Sequence, residues 1–283
     1  MMGLYGIIHK NFFGCVIMSN SFNGQLNIDG AVMDYIRFGK GEKHLIMIPG
    51  LGDGLRTVKG TSRLMALMYH QFAKDFTVWM FSRKQPLEEN CTIRSMAWDL
   101  KTAMDMLGIV KAHILGVSQG GMIAQWLAID NPQVVDKLVL TVTAPRTNNV
   151  IDNVVNHWIE LVENDDYKTF TVDNFEKSYS EKYLKNYRFL YPVIVPFIKP
   201  KDKRRFLLQA KACLGHNTMD CMHQIKHDTL IIGGAKDQIV TAEASKLLAE
   251  KIENSQLFIY EDYGHALYEE AKDFNNRVIN FLK

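Results

Sequence analysis

Apolar residues recur along most of the chain in two alternating patterns, short continuous runs and longer amphipathic stretches. A continuous apolar run is typical of a strand buried on both faces, whereas apolar positions three and four residues apart are typical of a helix. Their alternation predicts a mostly parallel sheet with helices on both faces. The predicted strands lie at residues 26–30, 31–38, 44–49, 76–81, 112–117, 137–143, 229–233 and 256–260, and the predicted helices at 62–72, 92–107, 119–128, 242–252 and 266–282.

An Asp29-Gly30 pair separates the first two predicted strands. Asp-Gly between two strand patterns is a strong signal for a tight hairpin turn. We therefore expect the first two of about eight strands to form an antiparallel edge of the sheet.

One segment interrupts the alternation. Only helical patterns occur there, and prolines break its middle; the helices are predicted at 151–162, 175–191 and 204–214, and the prolines are Pro192, Pro196 and Pro200. We predict three parts, namely an N-terminal extension, an α/β core, and a helical cap inserted after the sixth core strand. Their respective residues are 1–24, 25–143 together with 222–283, and 144–221.

Composition narrows the class of protein. Of 283 residues 47% are hydrophobic, which is enough for a substantial core. The net charge of +2 selects neither nucleic acid nor an anionic membrane, and no apolar run is long enough to span a bilayer. Four unpatterned cysteines indicate reduced thiols, as in a cytoplasm: Cys15, Cys91, Cys213 and Cys221. We expect a cytoplasmic monomer or homodimer that acts on a small molecule and binds neither nucleic acid nor membrane.

The N-terminal extension contains an apolar patch at residues 12–18 that is similar to the core of a signal peptide. Its basic region holds only Lys10, and no small-x-small cleavage site follows. We therefore expect a poorly packed extension rather than a signal peptide, with Met18 as an alternative start.

The pattern Gly-x-Ser-x-Gly follows the fifth predicted strand, at residues 116–120. In such a nucleophile elbow the serine has a strained backbone that lifts its hydroxyl clear of the sheet. Gly116 and Gly120 flank the turn, where a Cβ would collide with neighbouring backbone. This pattern predicts Ser118 as a nucleophile.

A serine hydroxyl needs an adjacent base, which in turn is oriented by a carboxylate. Asp237 and His265 each follow one of the last two predicted strands, at the carboxyl ends where ligands gather in open α/β sheets. The other position for the acid, residues 144–149, contains no carboxylate. The chain order of Ser118, Asp237 and His265 is that of an α/β-hydrolase triad.

With these motifs the chain resembles the α/β-hydrolase fold superfamily, in its capped esterase, lactonase and C–C hydrolase group, and residues 120–127 are similar to 3-oxoadipate enol-lactonase. The resemblance implies Ser118 as nucleophile, His265 as general base and Asp237 as the acid that orients it. It also implies an oxyanion hole made by the backbone N–H groups of Leu51 and Gln119. No cofactor and no metal are implied.

Other readings of the same sequence remain open. Asp53 and Arg83 are expected in turn or surface positions, with contact to a polar substrate group as the alternative. A metal site is a further alternative, because His223 and His227 have the i, i+4 spacing of a helical metal pair, but no Cys-x-x-Cys or His-Glu-x-x-His accompanies them. The other potential ligands nearby are Cys213, His216 and Cys221.

The favoured function is hydrolysis of a small carboxylic ester or lactone through an acyl-enzyme. Acyl transfer and C–C bond hydrolysis are alternatives that use the same triad. A receptor of the same fold without catalysis is a further alternative. The sequence does not distinguish between substrates, because these depend on how the helical cap packs.

Overall fold

The computed structural model describes residues 20–283. Eight strands form one sheet in the order β1-β2-β4-β3-β5-β6-β7-β8. The β1–β2 and β2–β4 pairs are antiparallel and the other pairs are parallel. The strands are β1 (Phe22–Ile28), β2 (Ala31–Phe38), β3 (Lys43–Ile48), β4 (Phe76–Phe81), β5 (Ala112–Val117), β6 (Val135–Thr141), β7 (Thr229–Gly234) and β8 (Ser255–Tyr260).

Helices cover both faces of this sheet. One apolar cluster includes α2, α3 and α9, and a second includes α1 and α11, so the predicted two-sided covering is confirmed. The helices are α1 (Ser62–Met68), α2 (Ile93–Met106), α3 (Gln119–Asp130), α4 (Asn149–Glu163), α5 (Tyr167–Ser178), α6 (Glu181–Tyr187), α7 (Tyr191–Ile194), α8 (Lys203–Leu214), α9 (Ala242–Lys251), α10 (Leu267–Glu270) and α11 (Phe274–Leu282).

Burial follows the position of each strand in the sheet. All six residues of β7 are buried, whereas β1 alternates and is largely exposed at the sheet edge. The hairpin turn uses Asp29 and Gly30, both with positive φ (52° and 81°), as the Asp-Gly signal predicts.

Several predicted boundaries are wrong. The extension was placed up to residue 24, but β1 already begins at Phe22, where it pairs with β2. The helix predicted at 175–191 is divided, because Ser180 caps the start of α6. The helix predicted at 266–282 is divided into α10 and α11. The apolar patch at 12–18 and Met18 lie outside the described residues.

The helices α4 to α8 lie between β6 and β7 in the chain and contact the loops that follow the carboxyl ends of other strands. Lys201 N–H donates to Leu55 O (3.2 Å) after β3, and Ala266 N–H after β8 donates to Ser178 O (2.8 Å). This helical segment has its own apolar cluster, which includes Trp158, Phe170 and Phe206. No helix within residues 20–283 is long and apolar enough to cross a membrane.

Candidate active site

Ser118 lies between β5 and α3 with φ 54° and ψ −120°. This left-handed conformation is rare for a residue with a side chain and marks a strained elbow. An added Cβ at Gly116 would lie 2.5 Å from Gly120 O, so the turn can be this tight only with glycine at that position. Thr143 Oγ1 donates to Ser118 O (2.8 Å) and holds the elbow from the loop after β6.

Asp237 and His265 are brought together in the loops that follow β7 and β8. His265 Nδ1 lies 2.8 Å from Asp237 Oδ2, and both residues are buried. The other carboxylate oxygen, Oδ1, accepts from Ile239 N–H (2.8 Å) and Val240 N–H (3.0 Å). The carboxylate is therefore fixed on both sides, and it can hold the imidazole in one orientation.

Opposing effects set the charge of this pair. Burial would raise the pKa of Asp237, but the charge of His265 and the hydrogen bonds from His265, Val240 and Ile239 together lower it below its usual value. Asp237 is therefore ionised at neutral pH and can stabilise a protonated His265.

Ser118 lies at the same carboxyl edge of the sheet as this pair. The hydrogen bonds within residues 20–283 do not include one from Ser118 Oγ to His265. Contacts between nucleophile and base are often long in a ligand-free site and tighten when substrate binds.

The predicted oxyanion donors are the first residues of two short elements. Leu51 begins a 3-10 helix, Leu51–Gly54, and Gln119 begins α3. N–H groups at a helix start have no partner inside the helix and are available to a ligand. The two starts are adjacent, since a Cβ on Gly50 would lie 3.2 Å from Ser118 Cβ.

Residues 43–272 match the family described as alpha/beta hydrolase fold. The chain belongs to this family. A 2-hydroxy-6-oxononadienedioate/2-hydroxy-6-oxononatrienedioate hydrolase of Pseudomonas putida is 28% identical over 273 residues, which are 92% of this chain and 93% of that protein.

Two crystal structures have a similar fold. The alpha/beta hydrolase MGS-M2 from a deep-sea metagenome library of the Medee basin has a TM-score of 0.82 at 19% identity, covering 92% of this chain and 97% of that one. The enol-lactonase from Burkholderia xenovorans LB400 has a TM-score of 0.79 at 20% identity, covering 92% and 99%. The predicted superfamily, its mostly parallel eight-stranded sheet and the hydrolase class are confirmed.

A buried ionic cluster includes Asp53, which lies in the loop after β3 of this α/β hydrolase. The Asp53 side chain accepts from Arg205 Nη2 and from Arg83 N–H (3.1 Å). Arg205 also donates to the carbonyls of Asp53 and Arg83. All three residues are buried, at 3–5% exposure. Of the expected turn or surface positions, the surface position is therefore wrong for both Asp53 and Arg83, while Asp53 lies in the short 3-10 helix Leu51–Gly54.

Arg83 links this cluster to both predicted oxyanion donors. Its Nη2 donates to Pro49 O (2.6 Å), two residues before Leu51, and to the side-chain Oε1 of Gln119 (2.8 Å). The other end of Gln119, Nε2, donates to Gln209 O (2.9 Å) on α8. One guanidinium therefore holds the two backbone segments that carry the donors.

Charge in the cluster is unequal, because two guanidinium groups face one carboxylate. Burial would raise the pKa of Asp53, but Arg205 and Arg83 lower it below its usual value. Burial, opposed by Asp53, lowers the pKa of Arg83 to about 10, which leaves it charged at neutral pH. The net positive charge of the cluster stabilises negative charge that develops close to the cluster.

Sequence reasoning missed Arg205. Its signal in the sequence is the spacing of Arg205, Gln209 and Cys213, which are four residues apart and therefore share one face of α8. In the structure all three residues are buried. Gln209 Nε2 reaches Asp53 Oδ2 (3.3 Å), and Cys213 Sγ lies 3.1 Å from Gln119 Nε2.

The potential metal ligands of the sequence are not assembled. Within residues 20–283 no group of three or more His, Cys, Asp or Glu side chains is arranged to hold a metal ion. His216 is buried, and its pKa is lowered to about 4 by burial, so it is neutral. His227 lies on the surface, with Nε2 2.9 Å from Pro132 O.

Proposed function

We propose that this protein hydrolyses a small carboxylic ester or lactone through an acyl-enzyme on Ser118. The observation that carries the proposal is the Asp237–His265 pair, 2.8 Å apart, at the same sheet edge as a serine with φ 54°. Such a pair supplies the base that a serine hydroxyl requires, and the strained elbow exposes that hydroxyl.

The proposed reaction has two halves. His265 Nε2 removes the proton of Ser118 as Oγ attacks the substrate carbonyl, and the imidazolium then protonates the leaving alcohol. Water attacks the acyl-enzyme in the same way, with His265 first as base and then as acid. Asp237 stays ionised throughout and stabilises the imidazolium.

The oxyanion formed in each half would be bound by the N–H groups of Leu51 and Gln119. One such donor is worth roughly 3 kcal/mol in the transition state. The surplus positive charge of the Asp53, Arg83 and Arg205 cluster supports the same role, because it lies directly behind these two segments.

We further propose that residues 144–221 act as a cap over a core of 25–143 and 222–283, and that they line the substrate pocket. Contacts of this segment with the loops after β3 and β8 support the proposal. Localisation in the cytoplasm is part of the same proposal, because the cysteines are few and unpatterned.

A second candidate is hydrolysis of a C–C bond beside a ketone. It is favoured by the 28% identity to an enzyme named for 2-hydroxy-6-oxononadienedioate. The same base and oxyanion donors would serve, with a carbanion-like leaving group in place of an alkoxide.

The test is a panel of aryl esters, lactones, thioesters and a 2-hydroxy-6-oxo dienedioate, assayed on the wild type and on Ser118→Ala. We expect turnover of an ester or lactone, and its loss by several orders of magnitude in Ser118→Ala. A fluorophosphonate should label the wild type and Ser255→Ala but not Ser118→Ala. A receptor without catalysis would leave the wild type unlabelled, and preferential turnover of the dienedioate would establish the second candidate instead.

A further inference from the structure

A cleft of about 340 Å³ opens beside the residues at the end of the Leu51–Gly54 helix and after it. It lies between the β1–β2 hairpin, residues 54–59 and the start of α8, and Ser118, Asp237 and His265 do not line it. A volume of this size is typical of sites for small molecules. No step of the proposed hydrolysis uses it.

The lining of this cleft is rich in positive charge. Its charged residues are Arg56, Lys59, Lys201, Arg205, Asp34 and Asp202. Both acidic side chains bond to other lining residues, since Asp34 accepts from Gln25 Nε2 (2.7 Å) and Asp202 caps α8 by accepting from Arg205 N–H (3.2 Å). Four cations therefore face two carboxylates in this lining. The three exposed cations form no ion pair with any residue in 20–283.

Arg205 connects the cleft to the interior. Its side chain is only 4% exposed, and its two Nη atoms are bound to Asp53 and to Arg83 O. Its Nε–H is buried and has no acceptor within the described part of the chain. A buried guanidinium donor without a partner is costly, so an acceptor that reaches this Nε–H would stabilise Arg205.

We propose that this cleft binds a small molecule carrying at least two phosphate or carboxylate groups, and that its occupation slows the reaction at Ser118. Two groups would engage cations of both segments at once, Arg56 and Lys59 after β3 and Lys201 before α8. An anion on Arg205 competes with Asp53 for the guanidinium and reduces the surplus charge behind the oxyanion donors. The effect on the reaction at Ser118 rests on the proposed function, whereas binding in the cleft does not.

Binding is measured by titration calorimetry with pyrophosphate and, separately, citrate, in about 150 mM salt to screen non-specific attraction. We expect saturable binding that the double variant Lys59→Gln/Lys201→Gln weakens by about tenfold or more. The matched control is Lys246→Gln/Lys272→Gln, which removes the same charge from exposed sites elsewhere. Equal affinity in both double variants, or no saturable heat up to about 10 mM of either anion, would refute the site. The stronger of the two anions identifies the phosphate or the carboxylate class.

The kinetic half uses the ester turned over fastest in the panel. Saturating anion should lower kcat several-fold without a matching change in KM, and Lys59→Gln/Lys201→Gln should be insensitive to it. Unchanged turnover with the cleft saturated would overturn the regulatory half. An enzyme that turns over no ester and no lactone would refute the proposed function, while the calorimetric result would still decide whether the cleft binds the anion.

Discussion

Asp237 holds His265 from one side while two backbone N–H groups hold Asp237 from the other. If this carboxylate orients and stabilises the imidazole, Asp237→Asn should leave the fold intact and lower kcat on the order of 10⁴-fold, as the same change does in the serine-protease template. The controls are Asp228→Asn and Glu243→Gln, which do not contact His265 and should be nearly neutral. The measurement is kcat on one activated ester, with circular dichroism to verify folding. Full activity of Asp237→Asn together with loss in either control would mean that the acid is misassigned.

We propose that Arg83 positions the two predicted oxyanion donors, through its hydrogen bonds to Pro49 O and Gln119 Oε1. Arg83→Lys keeps the charge but loses the guanidinium Nη2 that donates to both acceptors. We expect kcat to fall about 10- to 100-fold with KM nearly unchanged, less than the 10²–10³ that removal of one donor costs. Arg94→Lys changes an exposed fork to Asp130 and provides the control. A rise in KM at constant kcat would instead place Arg83 in substrate binding.

At the scale of elements, residues at the junction of α5 and α6 form hydrogen bonds to the segment that carries His265. Ser180 N–H and Oγ both donate to Glu270 (3.0 and 2.5 Å), and Ser178 O accepts from Ala266 N–H. The same Ser180 Oγ accepts from Tyr183 N–H and caps α6. One serine therefore joins the inserted segment to the catalytic loop.

Ser180→Ala should lower the free energy of unfolding by about 1–2 kcal/mol, from a lost cap and a lost bond to the half-buried carboxylate of Glu270. It should also lower kcat several-fold, because the loop of His265 loses its brace. Thr92→Ala removes the cap of α2, far from this loop, and should cost about 1 kcal/mol with kcat unchanged. Urea unfolding and steady-state kinetics of both variants give the comparison. Equal kcat in the two variants would show that Ser180 acts on stability alone.

The sequence predicted the elements whose residues act locally. Three features determine the local structure without a distant partner, namely the apolar runs of the strands, the Asp29-Gly30 turn and the glycines around Ser118. It failed where the partner is distant: Ser180 meets Glu270 at a separation of 90 residues, and Arg205 meets Asp53 at 152. Such pairs depend on how the inserted helices pack on the core, and hydrophobic periodicity does not report that packing.

For the whole molecule, buried His216 makes stability depend on pH. The pKa of His216 is about 4 in the folded protein, whereas the reference value of 6.5 applies to the unfolded chain. Between these two pH values the unfolded chain therefore binds a proton that the folded protein does not. This contribution is complete above pH 6.5 and is lost as the pH falls toward the folded pKa. At about 1.4 kcal/mol per pH unit, the free energy of unfolding should fall by up to about 2 kcal/mol between pH 6.5 and 5.

Urea unfolding at several pH values tests this contribution. Between pH 6.5 and 5, His216→Gln should reduce the slope of the free energy of unfolding against pH by up to about 1.4 kcal/mol per pH unit, the value for one proton. His157→Gln, at an exposed site, should leave this slope unchanged. A slope in His216→Gln as steep as that of the wild type would assign the effect to other groups.

The position of the inserted helices also determines how the sheet grows on the ribosome. From β6 onward each new strand pairs with the one made before it, but β6 and its next neighbour β7 are separated by residues 142–228. At about 5–20 residues per second, β6 has an open edge for roughly 4–17 s after its synthesis. Its middle residues, Leu138 to Leu140, are fully buried in the finished protein, and an open apolar edge can pair with a strand of another chain. Slow translation through the inserted segment therefore prolongs the time for which this edge of β6 is unpaired.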